Sequence, residues 1–173
     1  RQDMLEANVL AAIQLQVKAA LDYDKLLDKL RGSEGEKNIR DQQNALITSL
    51  NLRLNGVSKK RTRLYEDYAE GLLDEAEYSF AKKSYDEQYA DLSRRLDEAV
   101  QRRSKFNEAM SVDNKWITLM KSVSTATQLS QDLVDESVEL VKVHEGGAVE
   151  LVMKYGDIYE LTIQSIKEVQ EAM

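Results

Sequence analysis

A few groups of residues in this 173-residue chain have types and spacings that chemistry or binding can use. Asp132, Asp135, Glu136 and Glu139 form the densest set of carboxylates in its last third. Paired carboxylates do acid–base work when their surroundings drive their pKa values apart. Here the spacing is that of a solvated helix face, so no catalytic role is expected of them. His144 is the single histidine and there is no cysteine, which leaves it without a second ligand to share a metal ion. It is expected to be a half-exposed strand residue. Serines are plentiful, but no Gly-x-Ser-x-Gly elbow, no Ser-x-x-Lys motif in a suitable context and no glycine-rich phosphate loop accompanies them. The expectation is a stretch with no catalytic residue, no cofactor and no small-molecule substrate.

Two further groups suit binding. Lys59, Lys60, Arg61 and Arg63 make the one basic cluster. On a helix they spread around most of a turn, which favours ion pairs with acids on a facing helix over contact with phosphate. Tyr65, Tyr68, Leu72, Leu73 and Tyr78 gather large side chains around Gly71, where a tight turn offers little to bury them against. Turn packing is one use for such residues, and contact with a partner is another.

The elements that must carry these residues are mostly helical. Proline is absent, where about nine would be expected at an average usage of about 5%, so long uninterrupted helices are predicted. Leu5, Val9, Leu10, Ile13, Val17, Ala20, Leu21, Leu26, Leu27 and Leu30 recur at mostly three- and four-residue steps through residues 3–31. Gly32-Ser33-Glu34-Gly35-Glu36 then reads as a corner. A second helix over 37–70 carries Ile39, Leu46, Leu50, Leu54, Val57, Leu64 and Tyr68, with Gly56 a tolerated weak point. Its partner opens at Asp74 with a capping box to Glu77. It then repeats Tyr78, Tyr85, Leu92, Ala99 and Phe106 every seven residues. Gly71-Leu72-Leu73 between them is short enough to force an antiparallel hairpin, an arm on the order of 50 Å long.

Past Ser111 the pattern changes. Trp116 to Val123 predicts one short helix, and Ser130 caps another containing Leu133, Val134 and Val138. Two runs of alternating β-branched residues around Gly146-Gly147, at about 141–155, read as a β-hairpin, and a helical tail follows from Asp157. The expected fold is mainly α: a long antiparallel coiled-coil hairpin on a small base of helices plus a two-stranded β-hairpin. Its divisions are a base helix and turn over 1–36, the arm over 37–110 with its turn near 71–74, and a mixed segment over 111–173.

Charge limits the partners. Residues 1–56 carry 8 basic and 8 acidic groups, 57–110 carry 11 and 12, and 111–173 carry 5 and 11. A surface that binds duplex DNA alone must be basic enough to displace condensed counterions. The last third would instead be repelled by phosphate, so stand-alone DNA binding is the least favoured reading. There is no apolar run of the length a membrane span needs and no basic leader before an apolar stretch, so a cytoplasmic protein is expected. The chain opens Arg1-Gln2-Asp3 and holds a two-stranded hairpin that is marginal by itself. Both features lead us to expect a piece of a larger protein.

Leu64-Tyr65-Glu66-Asp67-Tyr68-Ala69-Glu70-Gly71-Leu72-Leu73-Asp74-Glu75-Ala76-Glu77-Tyr78 resembles the tip of the coiled-coil motif in large serine recombinases, the integrases and transposon recombinases of phage and mobile elements. Met4 to Ile13 resembles the helix that follows their zinc ribbon, and Leu133-Val134 through Val141-Lys142-Val143-His144-Glu145 resembles their helix-then-strand return. The three blocks stand in the family's order.

The resemblance implies a parent protein, bacterial or phage-encoded, that cuts and rejoins two DNA sites through a serine in an N-terminal domain. DNA would be held by a recombinase domain and a zinc ribbon preceding this chain. Neither that serine nor the zinc ligands have counterparts here, so enzyme activity and zinc belong to the parent and not to this stretch. What carries over is the arm, whose partners would be the arms of other subunits during synapsis, with a part in the direction of integration or excision. It also implies that Val141 to Tyr155, which such proteins pack on the zinc ribbon, are partly uncovered here. The alternative is a structural coiled-coil adaptor unrelated to recombination.

Overall fold

The computed structural model describes residues 2–144 and 148–173. Its elements are α1 (Gln2–Leu30), α2 (Glu34–Ala69), α3 (Glu75–Met110), α4 (Lys115–Ser122), α5 (Gln131–Ser137), β1 (Val138–Val143), β2 (Val149–Met153) and α6 (Gly156–Glu171). The fold is mainly α with one two-stranded antiparallel sheet, as the residue pattern predicts. No described helix is long and apolar enough to cross a membrane. The chain divides into two compact units, Arg1–Lys37 with Lys105–Met173, and Asn38–Ser104.

In the first unit, Val9, Ile13, Val17, Ala20 and Leu27 of α1 are buried together with Trp116, Ile117 and Met120 of α4 and with Ile158, Ile166 and Val169 of α6. Trp116 is fully buried, its ring 4.7 Å from that of Tyr159 and 6.1 Å from that of Tyr23. Asn114 joins three elements from within this core. Its Oδ1 caps α4 by accepting from the Ile117 N–H at 3.1 Å, and its Nδ2 donates to the Ala109 carbonyl at 2.9 Å and to Thr162 Oγ1 at 2.8 Å. The end of α3 has a second partner: Arg31 donates from Nε to the Met110 carbonyl and from its guanidinium to the Ser111 carbonyl. A cation at the negative end of a helix satisfies carbonyls that have no acceptor role within it.

The corner after α1 is shorter than expected. Helix α2 already begins at Glu34, because Ser33 Oγ accepts from the Glu36 N–H at 3.2 Å while the Glu36 carboxylate accepts from the Gly32 N–H at 2.5 Å. This is a capping pair of the Ser-x-x-Glu type. Gly35 is therefore helical, and a Cβ there would run into the Val169 carbonyl oxygen and lie 2.7 Å from Met173 Cγ.

The first strand also starts earlier than the residue pattern predicts. β1 begins at Val138, where the sequence pattern predicts the preceding helix to continue, and β2 ends at Met153 rather than Tyr155. A register shift between Val138 and Leu140 leaves Glu139 out of the alternation, and this hides the first strand residue from a period-two search. Tyr155 adopts a left-handed conformation at φ 58° and opens α6. The Gly146-Gly147 turn lies outside the described residues.

In the second unit, α2 and α3 pack through Leu50, Val57 and Leu92, with Leu54, Tyr85, Tyr89, Leu96 and Ala99 around them. The narrowness of this core follows from the seven-residue repeat, which supplies one stripe per helix and no second layer.

Candidate functional site at the turn of the helical hairpin

The turn is built from local signals. Gly71, at φ 76°, takes the left-handed position past the end of α2, its N–H donating to the Tyr68 carbonyl and that of Leu72 to the Asp67 carbonyl. These two bonds close a Schellman motif, which a residue bearing a Cβ forms only with strain. Three residues later, the Asp74 N–H donates to the Glu77 carboxylate at 3.0 Å and the Glu77 N–H to Asp74 Oδ1 at 2.8 Å. This is the capping box read from the sequence. With both helices stopped so abruptly, the turn leaves little surface on which its own side chains can be buried.

What the turn does with its large residues divides them. The rings of Tyr68 and Tyr78 stack with centroids 4.4 Å apart and planes 17° apart, so this pair closes the end of the seam. Leu73 is half-buried. Tyr65 and Leu72 remain 61% and 68% exposed, and Tyr68 itself 37%. Phe80, on the second turn of α3, is 81% exposed. Phe80 was not singled out from the sequence, although it falls between the seam positions Tyr78 and Tyr85, which is the signal that would have found it.

The basic cluster also divides. Arg61 faces α3, with its guanidinium 2.7 Å from Asp86 Oδ1 and 4.9 Å from the centre of the Tyr89 ring. Lys82 holds the other oxygen of the same carboxylate at 2.7 Å. The hydrogen bond from Lys82, with Arg61 nearby, holds the Asp86 carboxyl below its ordinary range, and Asp86 in turn raises Lys82. Lys59, Lys60 and Arg63 are exposed.

The remaining candidates lie in the first unit. Asp132, Asp135, Glu136 and Glu139 are all exposed, and Asp135 accepts from Gln131. His144 Nε2 lies 3.2 Å from Glu150 Oε2, and Lys142 donates to Glu150 Oε1 at 2.8 Å. The hydrogen bond from Lys142, followed by that from His144, lowers the Glu150 pKa. Leu140, Val141 and Val143 of β1 are 50%, 36% and 60% exposed. Among the described residues no group of three or more His, Asp or Glu side chains is arranged to hold a metal ion.

The fold and this turn define a mainly α protein with a helical hairpin and an apolar, aromatic end. Comparison with family models, with curated proteins and with solved structures finds no match to the chain.

Proposed function

We propose that this chain is a non-catalytic part of a site-specific DNA recombinase, and that its α2–α3 hairpin makes contacts between subunits when two DNA sites are brought together. The observation that carries the reading is the exposure of Tyr65, Tyr68, Leu72 and Phe80 at a turn that has no core of its own. Side chains of this size left in water around one turn are characteristic of a surface completed by another protein. The order of the three sequence blocks that resemble large serine recombinases supplies the biological setting. DNA and zinc belong in this reading to domains of the parent protein, and the partner of the hairpin is another subunit.

The test replaces Tyr68 and Leu72 together by Asp in the full-length protein and measures recombination between paired attachment sites, with binding to a single site as a control. The expected result is retained site binding with recombination reduced at least tenfold, because each Asp puts a charge where the contact must lose water. Recombination at the unmodified level would refute the reading. A parent protein without a recombinase domain would favour the structural adaptor instead.

A further inference from the structure

The outer surface of α2, turned away from α3, carries charges that the hairpin does not use. Lys59, Arg63, Glu66 and Glu70 follow one another at steps of four, three and four residues, so they share one stripe of the helix. The helical bonding reaches Glu70, whose N–H donates to the Glu66 carbonyl. All four side chains are exposed, and none has an ion pair or side-chain hydrogen bond among the described residues. The opposite side of the helix, with Leu50, Val57 and Leu64, is buried.

Within one chain two of the three neighbouring pairs in this order are unfavourable, and only Arg63 with Glu66, at i and i+3, is of opposite charge. Lys59 with Arg63 and Glu66 with Glu70 are like-charged pairs at i and i+4, which repel along a helix. Glu66 and Glu70 also stand at the C-terminal end of α2, where the helix dipole is negative and the last turn holds no basic residue. The same acids at a helix start would be favourable, as Asp74 and Glu77 are in the capping box of α3.

The order becomes favourable against itself. Two positive charges followed by two negative ones, read antiparallel to an identical stripe, place Lys59 opposite Glu70, Arg63 opposite Glu66, and the reverse. Such a pairing has a two-fold axis between Arg63 and Glu66, so the patch is isologous and closed. The same register sets Leu72, 68% exposed, against the part of the second helix that contains Gly56, where nothing lies within 4 Å of a Cβ position. Thr62 and Ala69, both exposed on the flank of the stripe, are small enough for two helices to approach.

We infer that the occupant of this face is a second copy of the chain, bound by antiparallel pairing of the outer faces of α2 with Lys59 on Glu70 and Arg63 on Glu66 of each copy. This inference rests on the reading of the hairpin as a contact between subunits and specifies its face and register. Association of the isolated chain is weak, since exposed ion pairs contribute little each. Subunits held on one synapse face each other at effective concentrations of about a millimolar, which makes weak pairing sufficient.

Sedimentation equilibrium of the 173-residue chain at low salt, up to about 1 mM, reads the association directly. Lys59→Glu with Arg63→Glu should weaken it at least tenfold, and so should Glu66→Lys with Glu70→Lys. An equimolar mixture of the two variants should restore it, and so should the chain carrying all four changes. Circular dichroism of each variant controls for folding. Because the chain has no cysteine, a second readout is clean: Lys59→Cys mixed with Glu70→Cys should oxidise to the mixed dimer in preference to either homodimer. In the proposed register two copies of position 59 lie about 16 Å apart along the helix. Association that survives both charge reversals but is lost with Leu72→Asp would overturn this register and leave the subunit-contact reading standing. No association at any concentration reached would overturn the inference, and the recombination assay with Tyr68 and Leu72 would then decide the broader reading independently.

Discussion

Replacing Asn114 by Ala should unfold the first unit more readily than its single lost side chain suggests. Asn114 is 1% exposed and makes three hydrogen bonds, of which two have no substitute. Losing the cap on the Ile117 N–H costs about 1 kcal/mol. The Ala109 carbonyl, in the last turn of α3 and facing the core, loses its donor and costs a further ~2 kcal/mol as a buried acceptor left unsatisfied. Thr162 Oγ1 still donates to the Ile158 carbonyl at 2.6 Å and adds little. The total is about 3 kcal/mol. Urea unfolding followed by tryptophan emission measures it in this unit alone, because the chain's one tryptophan, Trp116, is fully buried two residues further along the same helix. Asn114→Ser keeps an oxygen for the cap and should recover about 1 kcal/mol of the loss. Asn114→Asp keeps the cap but puts a carboxylate against the Ala109 carbonyl. Its folded pKa would rise, so the variant should gain stability relative to Asn114→Ala as pH falls from about 7 to about 4. A loss below about 0.5 kcal/mol for Asn114→Ala, or equal losses for Ala and Ser, would refute the reasoning.

Two further measurements probe the two units separately. Gly35→Ala adds a methyl group that meets the Val169 carbonyl oxygen and Met173 Cγ, and overpacking of this kind should destabilise the first unit by about 1–3 kcal/mol in the same urea assay, despite the better helix propensity of alanine. Asp86 has a folded pKa below 3.8, so the stability it contributes is fully present above pH 3.8 and is lost as pH falls through the lower folded value. Helix melting by circular dichroism should accordingly show a smaller loss of stability below pH 3.8 for Asp86→Asn than for the unmodified chain, and equal acid sensitivity would exclude the Arg61–Asp86–Lys82 cluster as a source.

The helices were legible because their signals are local and repeated. The heptad from Tyr78 to Phe106 and the Asp74 to Glu77 capping box both appear in the structure at the residues that announced them. The capping pair of Ser33 and Glu36 has the same form but was read as part of a glycine-rich corner, since Gly32 and Gly35 weigh against a helix by propensity. Tertiary contact reverses that weight: α6 leaves no room for a Cβ at position 35, so glycine is the residue this helical turn accepts. Asn114 and Arg31 were invisible for a related reason. An asparagine before a helix signals a cap, but its bond to Thr162 spans 48 residues, and that of Arg31 to Ser111 spans 80. No periodicity reports on such distances. Tyr65, Tyr68, Leu72, Leu73 and Tyr78 stand together around the turn, yet only the stacking of Tyr68 on Tyr78 separates the pair that finishes the seam from Tyr65 and Leu72, which face water.

The acids around the turn separate by what the hairpin itself does with them, and the separation bears on function. Asp74 and Glu77 are accounted for by the start of α3, whose free N–H groups they accept from. Asp86 is accounted for by Arg61 and Lys82. Glu66 and Glu70 have no such account: a short turn needs neither, and the dipole of α2 disfavours both. Exposed charge is common on helices and solubility alone can explain its presence, but solubility is indifferent to order. An interspersed order would relieve the i, i+4 repulsion within the chain at no loss of net charge. Lys59 and Arg63 preceding Glu66 and Glu70 is the segregated arrangement instead, which costs a lone helix two repulsive i, i+4 pairs and is complementary to an antiparallel copy of itself. The stripe and the apolar turn thus bear on the same contact from different physics, one fixing register through charge and the other contributing area through Leu72 and Tyr65.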